Sequence, residues 1–209
     1  TMDIAECALP TQNVDQQEHP AINLGEGPQR DRDIEGFRTH IRNVAAAGIP
    51  CIKYALNLLG AMRSGTVPGR GDALYTAWKL ADAPKDLPLT RAGVVPGDVF
   101  WERITYFLER VVPVANEYKV KLALHPHDPG VPPSGYRGIQ RVLGTVDGVK
   151  RFITIHESPY HGLNFCQGAM SEMLQDPGKE IFDVIRYFGS RGKIFNVHFR
   201  NRSEEHTSE

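Results

Sequence analysis

The chain has 209 residues, 41% of them hydrophobic and 23% charged, the composition of an ordinary globular protein with enough length for a sizeable core. Its formal net charge of −1 supplies no field to gather nucleic acid or an anionic membrane, and no apolar run nears the ~20 residues that span a bilayer. Three cysteines, Cys7, Cys51 and Cys166, are odd in number and far apart, so no disulfide framework is expected and the predicted setting is a reducing cytoplasm.

The first predicted element is a strand over residues 3–9, followed by a loop through Gly25, Gly27 and Pro28. Asp31 or Asp33 offers an N-cap to a helix through Ile34, Phe37, Ile41, Val44 and Ala45, whose spacings of 3 and 4 mark one apolar face. Gly48 closes it as a C-cap would. Residues 49–56 read as a second strand that ends at Asn57. Residues 57–98 read as one long loop rich in Gly and Pro, with Arg63, Arg70, Tyr75 and Trp78 inserted, and loops of that length are commonly functional. Helical spacing returns over 99–118 through Phe100, Ile104, Phe107, Leu108, Val111, Val112 and Ala115, and Pro113 predicts a kink or an early end.

Val120, Leu122 and Leu124 alternate with Lys121 and Ala123 in the next strand, which Pro126 and Pro129 stop for want of amide donors. A short helix over 136–146 and a strand over 151–156, with His156 and Glu157 at its end, are the next expectations. A short strand over 162–168 carries Cys166. Ile181, Val184, Ile185 and Phe188 mark an amphipathic helix ended by Gly189, and residues 193–201 form the last strand. Residues 202–209 are polar and match what a widely used sequencing-library adapter would encode in one frame. They are read as a non-native tail, leaving 1–201 as the folded unit.

This alternation predicts a parallel α/β architecture. Polar residues recurring at strand ends favour a (β/α)8 TIM-type barrel over an open sheet, because a barrel converges many strand ends on one point. Five or six strands are expected, against the eight of a complete barrel of about 250 residues, so the predicted barrel is incomplete, with first and last units missing.

His125, Cys166 and His198 fall at predicted strand ends, 41 and 32 residues apart, which is the spacing of successive β/α units. Imidazole and thiolate together suit Fe2+, Mn2+, Co2+ or Zn2+, although each alone is more often a hydrogen-bonded or packed structural side chain. His127 and Asp128 either touch a metal or substrate or only form the turn after His125. The pair His156-Glu157 is a candidate acid or base. Arg70 and Arg200 are candidate carboxylate clamps, since guanidinium donors match that group bidentately. Cys7 and Cys51 read as core.

The stretches Leu122-Ala-Leu-His-Pro-His-Asp-Pro129, Ser158-Pro-Tyr-His-Gly-Leu-Asn-Phe-Cys-Gln-Gly168 and Val197-His-Phe-Arg-Asn201 resemble the mannonate dehydratase family, and the likeness runs over residues 3–201. The resemblance implies a xylose-isomerase-like barrel that dehydrates D-mannonate, an aldonate, to 2-dehydro-3-deoxy-D-gluconate in glucuronate breakdown. It further implies Fe2+ or Mn2+ as cofactor and a homo-oligomer for the full-length enzyme. Carried over by position, the metal ligands would be His125, Cys166 and His198; Arg200 would face the substrate with Asn201 beside it. The family usually reads His-Pro-Asp-Asp-Pro, so His127 departs from the pattern and is not made a ligand, but it and His156 remain candidates for the base. A fourth ligand, an aspartate, and a catalytic tyrosine are expected beyond the last residue, so the expectation is three of four ligands in an unclosed barrel. Rival expectations are a metal-dependent sugar isomerase or epimerase of the same superfamily, whose sites favour carboxylate ligands, and an inactive fragment that binds a sugar acid.

Overall fold

The structure, a computed structural model, describes residues 2–6 and 9–199. Cys7, Arg200, Asn201 and the tail 202–209 lie outside the described residues. Five strands form one parallel sheet: β1 (Ala5–Glu6), β2 (Cys51–Tyr54), β5 (Lys121–Leu124), β6 (His161–Cys166) and β7 (Ile194–His198). They neighbour one another in strict chain order, each parallel to the last. Helices fill the intervals: α2 (Gly27–Ala46), α3 (Gly97–Tyr118), α4 (Val146–Thr154) and α6 (Pro177–Gly189), with the short α1 (Ala21–Leu24) and α5 (Gln167–Ser171) beside them. Strand, helix and next strand repeating in one direction is the winding of a (β/α) barrel, here over five strands.

Why the sheet is covered on one face follows from alternation. Ile52 and Tyr54, Leu122 and Leu124, and Leu163 and Phe165 are all buried on one side of their strands. Against them pack Ile34, Phe37, Ile41 and Val44 of α2 and Phe100, Ile104, Phe107, Leu108 and Val111 of α3. Phe37, Tyr54 and Phe107 meet edge to face or tilted, with centroids 5.1–5.9 Å apart, a geometry that adds to plain area burial. The other face carries Lys53, Ala123, His125, Asn164, Cys166, Asn196 and His198. It is the concave, polar side.

Four expectations need correction. First, α2 starts at Gly27, after Glu26, with Pro28 in its first turn. A proline is tolerated there because that amide has no intrahelical partner, so the stretch read as loop is already helix. Its end is as expected: Gly48 sits at φ +73° and Ile49 N–H reaches back to Val44 O at 3.0 Å. Second, the long loop contains an antiparallel hairpin, β3 (Gly65–Pro68) with β4 (Leu74–Ala77). Third, Pro113 does not end α3, which continues to Tyr118. The residue is exposed, so water can take the carbonyl it orphans.

The fourth correction concerns 136–157. The segment read as helix is a set of turns and bridges, including Tyr136 with Ile139 and Val95 with Ile139. The segment read as strand is helix α4. Val149, Phe152 and Ile153 share its buried face, and Thr145 caps it, Oγ1 accepting from Gly148 N–H at 3.0 Å. The β-branched run Phe-Ile-Thr-Ile masked a helical spacing that begins with an N-cap.

Candidate metal centre

Three neighbouring strands deliver the site. His125 immediately follows β5, with its N–H bonded to Tyr54 O at 2.8 Å, while Cys166 and His198 end β6 and β7 and are paired directly in register. One layer below, Asn164 pairs with Asn196, whose Nδ2 donates to Asn164 Oδ1 at 2.5 Å. Side chains two residues apart on a strand point the same way, so the Asn pair forms a floor under the Cys/His layer.

One ligand atom from each of His125, Cys166 and His198 lies within 4.8 Å of the other two, and His125 Nε2 is 3.2 Å from His198 Nδ1. A single ion bonded at ~2.0–2.3 Å holds adjacent ligand atoms about 3–3.5 Å apart; the two imidazole nitrogens have that spacing, and Cys166 lies close enough to join them after a small closing of the site. The surroundings suit ligation too. Nδ1 of His125 faces Pro126 O at 2.7 Å, and a hydrogen bond there fixes the tautomer with the Nε2 lone pair toward the cluster. Cys166 caps α5, its Sγ accepting from Ala169 N–H at 3.5 Å. His125 and Cys166 are buried, and His198 is half-buried.

The other nominated residues divide sharply. His127 is 2% exposed and saturated: Nε2 donates to Leu56 O at 2.8 Å and Nδ1 accepts from Leu143 N–H at 3.3 Å. Its ring stacks on Phe100, and burial, reinforced by the Arg141 charge, pushes it down to about 3. It is a neutral structural histidine and not placed as a base. His156 is exposed, at φ +51°, in the turn between α4 and β6. That is the N-terminal end of the sheet, opposite the cluster, because the strand that was to end at His156 is a helix. Arg70 is exposed in the turn of the β3–β4 hairpin. Arg200 and Asn201 lie outside the described residues.

Other residues stand at this face instead. Arg63 is partly exposed, with Nη1 on Met62 O and 3.5 Å from Asp128 Oδ1. Arg141 is 5% exposed and lies inside the connection from β5 to α4. Asn57, just past β2, accepts from Gly60 N–H and from Arg141. Asn57 could have been found as the polar terminus of a strand. Arg141 gave no local signal, since it sits in irregular chain.

Five parallel strands wound in chain order, with a His/Cys/His cluster at their C-terminal ends, define a segment of a (β/α) barrel that carries a candidate metal site. A D-tagatose 3-epimerase-like protein shares that fold at 13% identity, with a TM-score of 0.53. The family model for D-mannonate dehydratase (UxuA) matches residues 86–209, and the mannonate dehydratase of Thermotoga maritima is 31% identical over 215 residues, covering 88% of this chain and 58% of that protein. The crystal structure of the mannonate dehydratase from Streptococcus suis serotype 2 superposes with a TM-score of 0.75 at 25% identity, over 93% of this chain and 55% of that one. The chain belongs to the mannonate dehydratase family, and it spans 58% of the length of the first curated relatives it matches.

Proposed function

We propose that this chain carries the three-ligand part of a mannonate dehydratase site, acting in the dehydration of D-mannonate to 2-dehydro-3-deoxy-D-gluconate with Fe2+ or Mn2+. The observation that supports this most is the meeting of His125, Cys166 and His198 at the ends of three adjacent strands, in a chain of that family. A bound divalent ion supplies Lewis-acid neutralisation of the charge that grows on the substrate when the proton beside its carboxylate is removed. Around it, the residues of this chain have separable tasks. His125 and His198 offer imidazole nitrogens, and Cys166 a sulfur held in place by the first turn of α5. Mixed N/S ligation suits a borderline ion better than the all-oxygen ligation of Mg2+ or Ca2+.

Among the described residues, Arg63, ion-paired to Asp128 three positions past His125, is the guanidinium we assign to an aldonate carboxylate at this face, a role for which the exposed hairpin turn leaves Arg70 badly sited and which Arg200, outside the described residues, could share. Asp128 holds Arg63 from below. Proton removal falls to neither His127, whose nitrogens are both engaged in the core, nor His156, at the far end of the sheet. The proposal is tested by assaying D-mannonate dehydration with Mn2+ or Fe2+ present, on this chain and on a polypeptide extended to the relatives' full length. Formation of the 2-keto-3-deoxy acid that stops on chelation and returns with the metal is expected. Chelator-insensitive turnover, or none from the extended protein, contradicts it.

A further inference from the structure

Arg141 reaches across the loops that follow β2 and β5. Its Nη1 donates to Pro129 O at 2.7 Å, four residues beyond His125. Its Nη2 donates to Asn57 Oδ1 and Gly60 O, both at 2.9 Å, in the loop after β2. Two residues on, Leu143 exchanges bonds with His127: His127 N–H donates to Leu143 O at 3.1 Å, and Leu143 N–H to His127 Nδ1 at 3.3 Å. The segment around Arg141 therefore grips the turn Pro126–Pro129 from one side by guanidinium and from the other by backbone.

Burial lowers the Arg141 guanidinium to about 10, and the carboxylates of Asp128 and Glu172 work against that loss while Arg63 adds to it. Glu172 is the C-cap of α5, the same short helix whose N-cap is Cys166. This buried cation is hydrogen-bonded to the loop behind His125 and to the loop after β2. Leaving so large a cation in the core is costly unless its donors and charge are met; its two Nη atoms find acceptors in the loops after β2 and β5, while its Nε has none.

We infer that Arg141 is a positioning residue for the metal centre, holding the turn behind His125 in place by fastening the strand-end loops of β2 and β5 to one another. This rests on reading the trio as a metal site. A ligand set is only as good as its outer supports, and losing such a support typically costs 10–100-fold in metal affinity. Lysine cannot reproduce the fork, because its single ammonium cannot reach acceptors on two loops at once with planar geometry.

The test is Co2+ binding to the purified chain, read by the thiolate-to-cobalt absorption band, in wild type, Arg141→Lys, Arg141→Gln and Asn57→Ala. Ile41→Val, a truncation in the α2 core, serves as a stability control. Arg141→Gln is expected to weaken Co2+ binding about 10–100-fold and to shift or diminish the band. Arg141→Lys should recover part of the loss, and Asn57→Ala should give a smaller weakening in the same direction. Ile41→Val should lower the melting temperature without moving the band. Unchanged affinity and an unchanged band in Arg141→Gln and Asn57→Ala, at temperatures where both are folded, would overturn the inference while leaving the metal site intact. If Arg141→Gln does not fold, Asn57→Ala alone decides. A wild-type chain that takes up no Co2+ defeats the metal reading itself and this inference with it.

Discussion

At the scale of single residues, two histidines separate structural work from chemistry. Replacing His127 by Phe keeps the stack on Phe100 but strands Leu56 O and Leu143 N–H inside the protein. Each buried orphan costs about 1–3 kcal/mol, so urea denaturation should show a loss of about 2–6 kcal/mol. A mutant of wild-type stability would mean that the two hydrogen bonds contribute nothing. His161 opens β6, five residues and about 16 Å from Cys166 along the strand, and its Nε2 donates to Phe152 O at 2.9 Å. Burial first, then the charges of Lys193 and His156, pushes it down to about 4 from the ordinary 6.5.

The sign of the resulting pH dependence is fixed by that depression. Above about 6.5 the ring is neutral in both folded and unfolded chains, and its full contribution is present. As pH falls from 6.5 toward 4 the unfolded chain binds a proton that the folded one refuses, so stability drops by up to about 1.4 kcal/mol per pH unit. Urea midpoints measured between pH 7 and pH 4 should fall more steeply for wild type than for His161→Gln, and parallel curves would exclude His161 as the cause. The trio itself was legible in the sequence because proline ended one strand just past His125, and Cys166 and His198 recurred at β/α intervals. His127 was misjudged because proximity to a ligand says nothing about which side of the turn a ring takes.

At the scale of elements, the lesson lies in two places where local rules competed. Pro113 is a helix breaker by rule, yet α3 passes through it, because the packed face of Phe107, Leu108, Val111 and Val112 outweighs one missing bond on the solvent side. Pro113→Ala restores that bond and removes the ring's clash, and the rule puts the gain at about 1–3 kcal/mol. A higher urea midpoint checks it; a lower one would show that the proline's stiffening of the unfolded chain dominates instead. In α4 the run of β-branched and aromatic residues suggested a strand, but Val149, Phe152 and Ile153 fall on one helical face behind the Thr145 cap. Thr145→Ala should cost about 1 kcal/mol, measurable in the same titration. A loss near zero would mean that burial of that face alone defines the helix.

At the scale of the molecule, alternation of apolar and polar segments was enough to predict a parallel α/β barrel, because each strand had to be followed by a helix that covers it. The sequence could not show that the irregular chain from Pro126 to Thr145 is organised around a buried arginine, since those contacts join residues 12 to 84 positions apart. Among the described residues β1 and β7 are the edges of the sheet, and near β7 the side chains of Val197 and Phe199 are 55% and 78% exposed. An apolar open edge invites pairing between chains. Val197→Lys should therefore raise the concentration at which this chain scatters light, and no change would place the association elsewhere.

The central claim is that His125, Cys166 and His198 together hold one divalent ion. The most direct measurement is the metal content of the purified chain after equilibrium dialysis against Mn2+, compared with Cys166→Ala. One ion per chain, lost or greatly weakened in the variant while the protein remains folded, is the predicted result. The same stoichiometry and affinity in Cys166→Ala would contradict it.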